Sequence, residues 1–286
     1  MSAAFAVVPY GAWPTRGIAK MPLDALEWPL GRPDRLATGC VSDMAATDHL
    51  ITYPRKPMFY LPWFGVRAQV SVMIVEPDSN HAHHLKSARR LHWRFHRVLT
   101  KNKATLAAVP NGIRFVAGDT FLSDFDQIDT TKSKDVSLIA SARNDLEGHK
   151  LRHSVVERIR ATGLDVDILG RGYAPFELKE DGLAPYRYSV VIENSREPSY
   201  FTEKLIDALI CETVPIYWGA PDIAEYFDAT GLMICSDADD IIAALARISP
   251  DDYAARADTI AANRAVAMNY ANTNKRAAEA VRGSLT

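Results

Sequence analysis

Two solid apolar runs, SVVI at 189–192 and VPIYW at 214–218, are separated by only a polar loop and one amphipathic stretch, 203–211. Unbroken apolar runs of this length suit strands buried on both faces. A helix between two such strands makes a βαβ unit, and βαβ units build parallel sheets. The loop itself, ENSREPSYFTEK at 193–204, would then lie at the carboxyl end of a buried strand. Ligands of open α/β sheets bind at those ends.

The same alternation runs through the rest of the second half. Strands are expected at 136–140, 166–169 and 232–235, with helices at 149–161 and 239–247. The first of these helices carries Leu151, Val155, Val156 and Ile159 at helical spacing, and Gly163 stops it. The first half alternates less cleanly. It suggests strands at 5–8, 49–53, 70–75, 97–100 and 114–117, and helices at 22–27, 82–90 and 102–108, interrupted by Pro54, Pro57, Pro62 and Pro77. The polar stretch 119–134 ends in TTKSK at 130–134, which reads as an interdomain linker. The Ala-rich stretch 253–281 reads as helical. The expected division is therefore an N-terminal α/β domain at 1–128, a second at 135–250, and C-terminal helices at 251–286 packing back across both. A ligand cleft between two such domains is the natural site.

Composition narrows the function classes. Hydrophobic residues make up 48% and charged residues 24% of the 286, so a packed core is expected. A net charge of −2 supplies no field for nucleic acid. Cys40, Cys211 and Cys235 are scattered and odd in number, which points to a reducing cytoplasm rather than a disulfide framework. No apolar stretch approaches the roughly 20 residues of a membrane span. The N-terminal stretch lacks a positive leader and a long apolar core, so it reads as a first strand and not a signal peptide.

Within the loop, Thr202 is a good helix N-cap, and Glu203 and Lys204 fall in the first turn. A lysine there is disfavoured by about 0.3–1 kcal/mol unless an anion is shared with the free backbone N–H groups. Glu–Lys pairs begin many surface helices. The company of Asn194, Ser195 and Tyr200 favours a phosphate site, with Glu203 accepting from hydroxyls such as a ribose diol.

The pattern EN-S, spacer, Y-F-T-E-K, amphipathic helix, V-P-I-Y-W-G over 193–219 resembles the signature of the α1,3/1,4-fucosyltransferases, glycosyltransferase family 10. A second, weaker likeness covers LIAS at 138–141, KLR at 150–152 and VDILGR at 166–171. The resemblance implies a GT-B-like α/β fold of two Rossmann-like domains facing each other across a cleft. It implies GDP-fucose as donor, transfer with inversion to a hydroxyl of an oligosaccharide or glycolipid acceptor (α1,3-type), and neither metal nor other cofactor. Carried over by residue, Arg152 and Lys204 would hold the diphosphate, Glu203 the ribose, and Asn194 and Tyr200 would line the diphosphate and sugar. An inverting displacement needs a general base. The family's glutamate in an E-S-P-like segment is matched by Glu76 in VMIVEPDS, which departs from it because Pro77 follows at once. Glu27, Asp43 and Asp78 are the next carboxylates in line. Transfer from another GDP-sugar, or sugar-nucleotide binding without catalysis, are the rival functions. Localisation is expected to be cytoplasmic, with attachment to the periphery of the inner membrane left open.

Other motifs carry less. HAHH at 81–84 has no acidic or cysteine partner at ligand spacing and reads as loop residues by the acceptor cleft. DVD at 165–167 lies inside an expected strand. MFYLPWF at 58–64 reads as core before it reads as a sugar-stacking platform. Arg89, Arg90, Arg94 and Arg97 read as a solvated helix face before a membrane-binding one. GRG at 170–172 is no dinucleotide fingerprint, since Pro175 stands where the third glycine would fall.

Overall fold

The computed structural model describes residues 2–12 and 17–285. The chain divides into two units, Met1–Val116 with Thr273–Thr286, and Ala117–Asn272. Each is an α/β unit on a five-stranded sheet in which every pairing is parallel.

The first unit runs β1 (Phe5–Val7), β2 (His49–Thr52), α1 (Lys56–Tyr60), β3 (Gln69–Ile74), α2 (Asp78–Leu91), β4 (Val98–Thr100), α3 (Lys103–Ala108) and β5 (Gly112–Arg114). Strand order in space follows the sequence, β1-β2-β3-β4-β5. Parallel crossovers are right-handed, so winding in one direction puts all the connecting helices on one face. There Val70, Val72, Ile74 and Val98 pack against Met58, Phe59, Leu85 and Ala88. The alternate residues Val7, Ile51, Met73 and Leu99 point to the other face, as the period of two requires. That face would be bare without the final helix of the chain, which brings Ala277, Ala278 and Val281 onto it.

The second unit runs β6 (Lys134–Ile139), α4 (Glu147–Thr162), β7 (Asp167–Leu169), β8 (Tyr186–Ile192), α5 (Glu203–Ile210), β9 (Val214–Trp218), β10 (Met233–Ile234), α6 (Ala238–Leu245), α7 (Pro250–Ala255) and α8 (Ala257–Tyr270). The chain then returns to the first unit as α9 (Thr273–Gly283). Gly163 ends α4 in the left-handed conformation, φ 70°. Here the strand order is β10-β9-β8-β6-β7. From β6 the chain steps one way to β7, whereas from β8 it steps the other way to β9. Right-handed crossovers in opposite directions place α4 and α5 on opposite faces, and the carboxyl ends of β6 and β8 become a topological switch point.

Several local readings are corrected. The segment 130–134 is no linker: the Thr130 hydroxyl donates to Glu212 at 2.9 Å, and the half-buried Lys132 ammonium donates to the carbonyls of Ala184 and Cys211 and to Thr213. Burial pulls that lysine down to about 8. The division falls at 116–117 because the following residues attach to α5, where Asp207 accepts from the Thr120 hydroxyl and the Phe121 N–H. Of the C-terminal helices, α7 and α8 stay with the second unit and only α9 joins the first. The expected helix at 22–27 is a single 3-10 turn, Leu23–Ala25, because Pro22 and Leu23 are tied by backbone bonding to 39–40. The strand expected at 114–117 lies at Gly112–Arg114.

Candidate functional site

At the switch point of the second unit lies a cavity of about 440 Å³. Its floor is the carboxyl ends of β6 and β8, with Ile139 to Ser141 from one and Ile192 and Asn194 from the other. Helix α4 contributes His149 and Arg152, and helix α5 contributes Glu203 and Lys204. Arg143, Arg171, Phe176 and Lys179 come from the loops beyond β6 and β7. Five Lys and Arg side chains thus face one carboxylate, and the first turns of two helices meet at one place. Free N–H groups and cations together make an anion site.

The geometry follows from close packing of α4 on the strand end. The Gly148 N–H donates to the Asn194 carbonyl at 3.1 Å, and a Cβ at Gly148 would overlap the Glu193 carbonyl. One turn on, Arg152 is buried, and its guanidinium donates to the Ile192 carbonyl at 2.7 Å and to Asn194 Oδ1 at 3.3 Å. Burial lowers its pKa, opposed by the nearby Glu193 and Glu203. Gly148→Ala is therefore expected to push α4 outward and carry Arg152 with it. We expect a lower melting temperature and weaker nucleotide binding, with a stability loss of about 1–3 kcal/mol, as overpacking typically costs. Chemical denaturation of both proteins checks this, and an unchanged midpoint would refute the tight approach.

Thr202 caps α5, and its hydroxyl accepts from the Lys204 N–H. The expected cap is thus present. The Lys204 ammonium reaches Glu203 Oε1 at 3.1 Å and Thr202 Oγ1 at 3.2 Å. Burial works against ionisation of Glu203, but Lys204, with Lys179 and Thr202, more than offsets it and holds the carboxyl below its ordinary value. Glu193 has a different place from the one its loop suggests. It is fully buried and accepts from the Thr202 N–H at 2.9 Å and the Thr202 hydroxyl at 2.7 Å. Burial raises its pKa, and the ammonium of Lys204, 3.9 Å away, works the other way. Glu193 therefore clamps the start of α5 to the end of β8.

Of the donor-site residues expected from sequence, Arg152, Asn194, Glu203 and Lys204 come together in the cavity wall. Tyr200 does not line it: the ring is buried. His149, Arg143, Arg171, Phe176 and Lys179 were missed. His149 Nδ1 lies 2.7 Å from Asp145 Oδ1, and burial lowers its pKa.

Glu76 lies in the first unit, half-buried, between the end of β3 and the start of α2. Tyr10, whose phenol is raised by burial and then by the Glu76 carboxylate, stands beside it with Arg55. Of the other carboxylates, Asp78 is bound by Lys101 at 3.0 Å and Asn102 at 2.6 Å, Glu27 accepts from Asn274, and Asp43 caps the turn after Cys40. His81, His83 and His84 lie on α2, not in a loop, and burial brings His81 and His84 down to about 4. Among the described residues no group of His, Cys, Asp or Glu could hold a metal ion. Asp167 accepts from Tyr186 and Lys134, as a sheet residue would.

Two parallel-sheet α/β units, with a basic cavity at the strand ends of the second, define a GT-B-type architecture. Structural comparison agrees. An α1,3-fucosyltransferase crystal structure aligns with TM-score 0.51 at 17% identity, covering 76% of this chain and 70% of that one. TarM from S. aureus aligns with TM-score 0.52 at 12% identity, covering 84% and 55%. At the sequence level, the family model described as glycosyltransferase family 10 (fucosyltransferase) C-term matches residues 130–238. That segment is thus similar to the family's C-terminal domain. An α-(1,3)-fucosyltransferase of Helicobacter pylori, FucT, is 42% identical over 50 residues, 18% of this chain and 10% of that protein. α-(1,3)-Fucosyltransferase B of Drosophila melanogaster is 38% identical over 63 residues, 22% and 14%. The chain thus aligns with only a small part of the curated relatives it matches.

Proposed function

We propose that the protein is an inverting glycosyltransferase that moves fucose from GDP-fucose to a hydroxyl of an oligosaccharide or glycolipid acceptor, in an α1,3-type linkage. One observation carries the reading: the cavity at the β6–β8 switch point joins two helix N-termini to five cations. That is the environment a nucleoside diphosphate requires. The family of the surrounding segment supplies the guanine and the fucose. In this reading Arg152 and Lys204 hold the diphosphate, Glu203 takes the ribose hydroxyls, and Asn194 lines the diphosphate. Tyr200 acts on the same place from behind the wall. Glu76 is the base that accepts the acceptor's proton as the sugar carbon is attacked, and no metal takes part. A cytoplasmic location, with attachment to the membrane periphery, fits this chemistry.

Thermal unfolding with GDP and with UDP tests the donor. At 100 times its dissociation constant GDP should stabilise the chain by about 2.7 kcal/mol, with UDP giving much less. Equal shifts would defeat the guanine assignment. Mass spectrometry of products from GDP-fucose and GDP-mannose then identifies the sugar, and EDTA should leave the rate unchanged. Donor binding without transfer to any fucosyl acceptor would leave a sugar-nucleotide-binding protein.

A further inference from the structure

Four of the exposed large hydrophobic side chains come from two neighbouring segments of the first unit: Tyr60 (58% exposed), Leu61 (60%), Phe64 (82%) and Trp93 (68%). The segments are joined into one surface. The Tyr60 hydroxyl bonds the Ser87 hydroxyl at 2.8 Å, the Arg94 guanidinium donates to the Leu61 carbonyl, and Arg94 lies 5.7 Å from the Trp93 ring centroid. Beneath them Phe59, Trp63 and Phe95 form the packed layer that holds the outer side chains in place. Hydrophobic groups with this much exposure, gathered in one place, mark a contact surface.

The charge of the segment that carries them is one-sided. Between Pro54 and Gly118 the sequence has eleven Lys and Arg and two carboxylates, Glu76 and Asp78, in a chain whose net charge is −2. Asp78 is already bound by Lys101 and Asn102. Lys86 and Arg90 are exposed one turn apart on α2, and the chain continues from that helix into the 3-10 turn His92–Arg94 that carries Trp93.

We propose that this face docks the first unit on an anionic lipid surface, with Phe64, Leu61 and Trp93 entering the headgroup layer and Lys86 and Arg90 held above it. A bilayer interface supplies both complements at once: an apolar phase for the rings and negative headgroups for the cations. Trp and Tyr suit that boundary because one end of each ring is polar. A soluble polyanion would account for the cations but not for the exposed Phe64. The inference stands apart from the donor-site reading, since it uses no residue of the cavity.

Flotation of the full chain with phosphatidylcholine vesicles, with and without phosphatidylglycerol, tests it. The chain should float only with phosphatidylglycerol, and added salt should release it. Phe64→Ser with Trp93→Ser should lower partitioning about tenfold or more, as loss of two inserted rings implies. Lys86→Ala with Arg90→Ala should lower it about fivefold per cation removed. All four side chains are solvent-facing, so unfolding curves and GDP binding of both variants should match the parent; if one variant misfolds, the other decides. The proposal falls if the parent ignores phosphatidylglycerol. It also falls if the Phe64→Ser, Trp93→Ser variant floats as the parent does while heparin displaces both, which would assign the surface to a soluble polyanion.

Discussion

Glu76→Gln should leave GDP affinity where it is and lower single-turnover fucose transfer by about 10²–10⁴-fold, the usual worth of a positioned general base. The affinity is expected to hold because Glu76 belongs to the first unit, whereas every residue assigned to the diphosphate belongs to the second. Glutamine keeps the size of the side chain and can still meet the Tyr10 phenol, so packing after β3 should survive. What is lost is the ability to accept a proton. The acid limb that a carboxylate base gives to a pH–rate profile should vanish in the variant. Calorimetry with GDP and quenched-flow transfer across pH measure the two quantities separately. Parent-like transfer would remove Glu76 from the reaction. Asp78, Glu27 and Asp43 would follow it, although each already has a hydrogen-bonding partner of its own. Loss of GDP affinity together with transfer would mean that the substitution acts through structure.

The second half of the chain was legible because its βαβ units are local. Its central strands are apolar runs, α4 ends at Gly163 and α5 starts at the Thr202 cap, signals that can be read in place. The cavity wall was half legible for the opposite reason. Arg152, Asn194, Glu203 and Lys204 sit next to strand or helix ends already marked by motif. Arg143 reaches the cavity from the loop beyond β6, and Arg171 and Lys179 from the one beyond β7, and they meet only because β7 lies beside β6. No sequence spacing encodes that adjacency. Glu193 illustrates a second limit. A carboxylate facing a ligand and one clamping a helix start use the same residue type beside the same Thr202, and only burial separates them. The destination of α9 was the third gap. An Ala-rich amphipathic pattern states that a face must be covered, not which sheet will cover it. The one-directional winding of the first unit decides this, because it leaves Val7, Ile51, Met73 and Leu99 without any helix of their own.

Arg152→Ala and Lys204→Ala should each weaken GDP binding by about 1.5–3 kcal/mol, the range for a charge-assisted contact, and should weaken guanosine binding much less. The two substitutions should differ in what else they disturb. Arg152 is buried and fixed by the Ile192 carbonyl and Asn194, so its charge is presented with little freedom to lose. Arg152→Lys keeps a charge but not the planar fork, and it should recover only part of the loss. Lys204 also stands 3.9 Å from the buried Glu193 carboxylate. Its removal leaves that carboxylate held by Thr202 alone, so Lys204→Ala should lower the melting temperature as well as the affinity. Adding Glu193→Gln should restore stability by neutralising the stranded charge, but it should not restore GDP binding, because the phosphate contact is still missing. Calorimetry with GDP and guanosine, below the melting temperature of every variant, separates the two effects. If both single variants bind GDP as the parent does, the helix ends hold some other anion. If Glu193→Gln restores binding along with stability, Lys204 supports the loop and does not touch the phosphate.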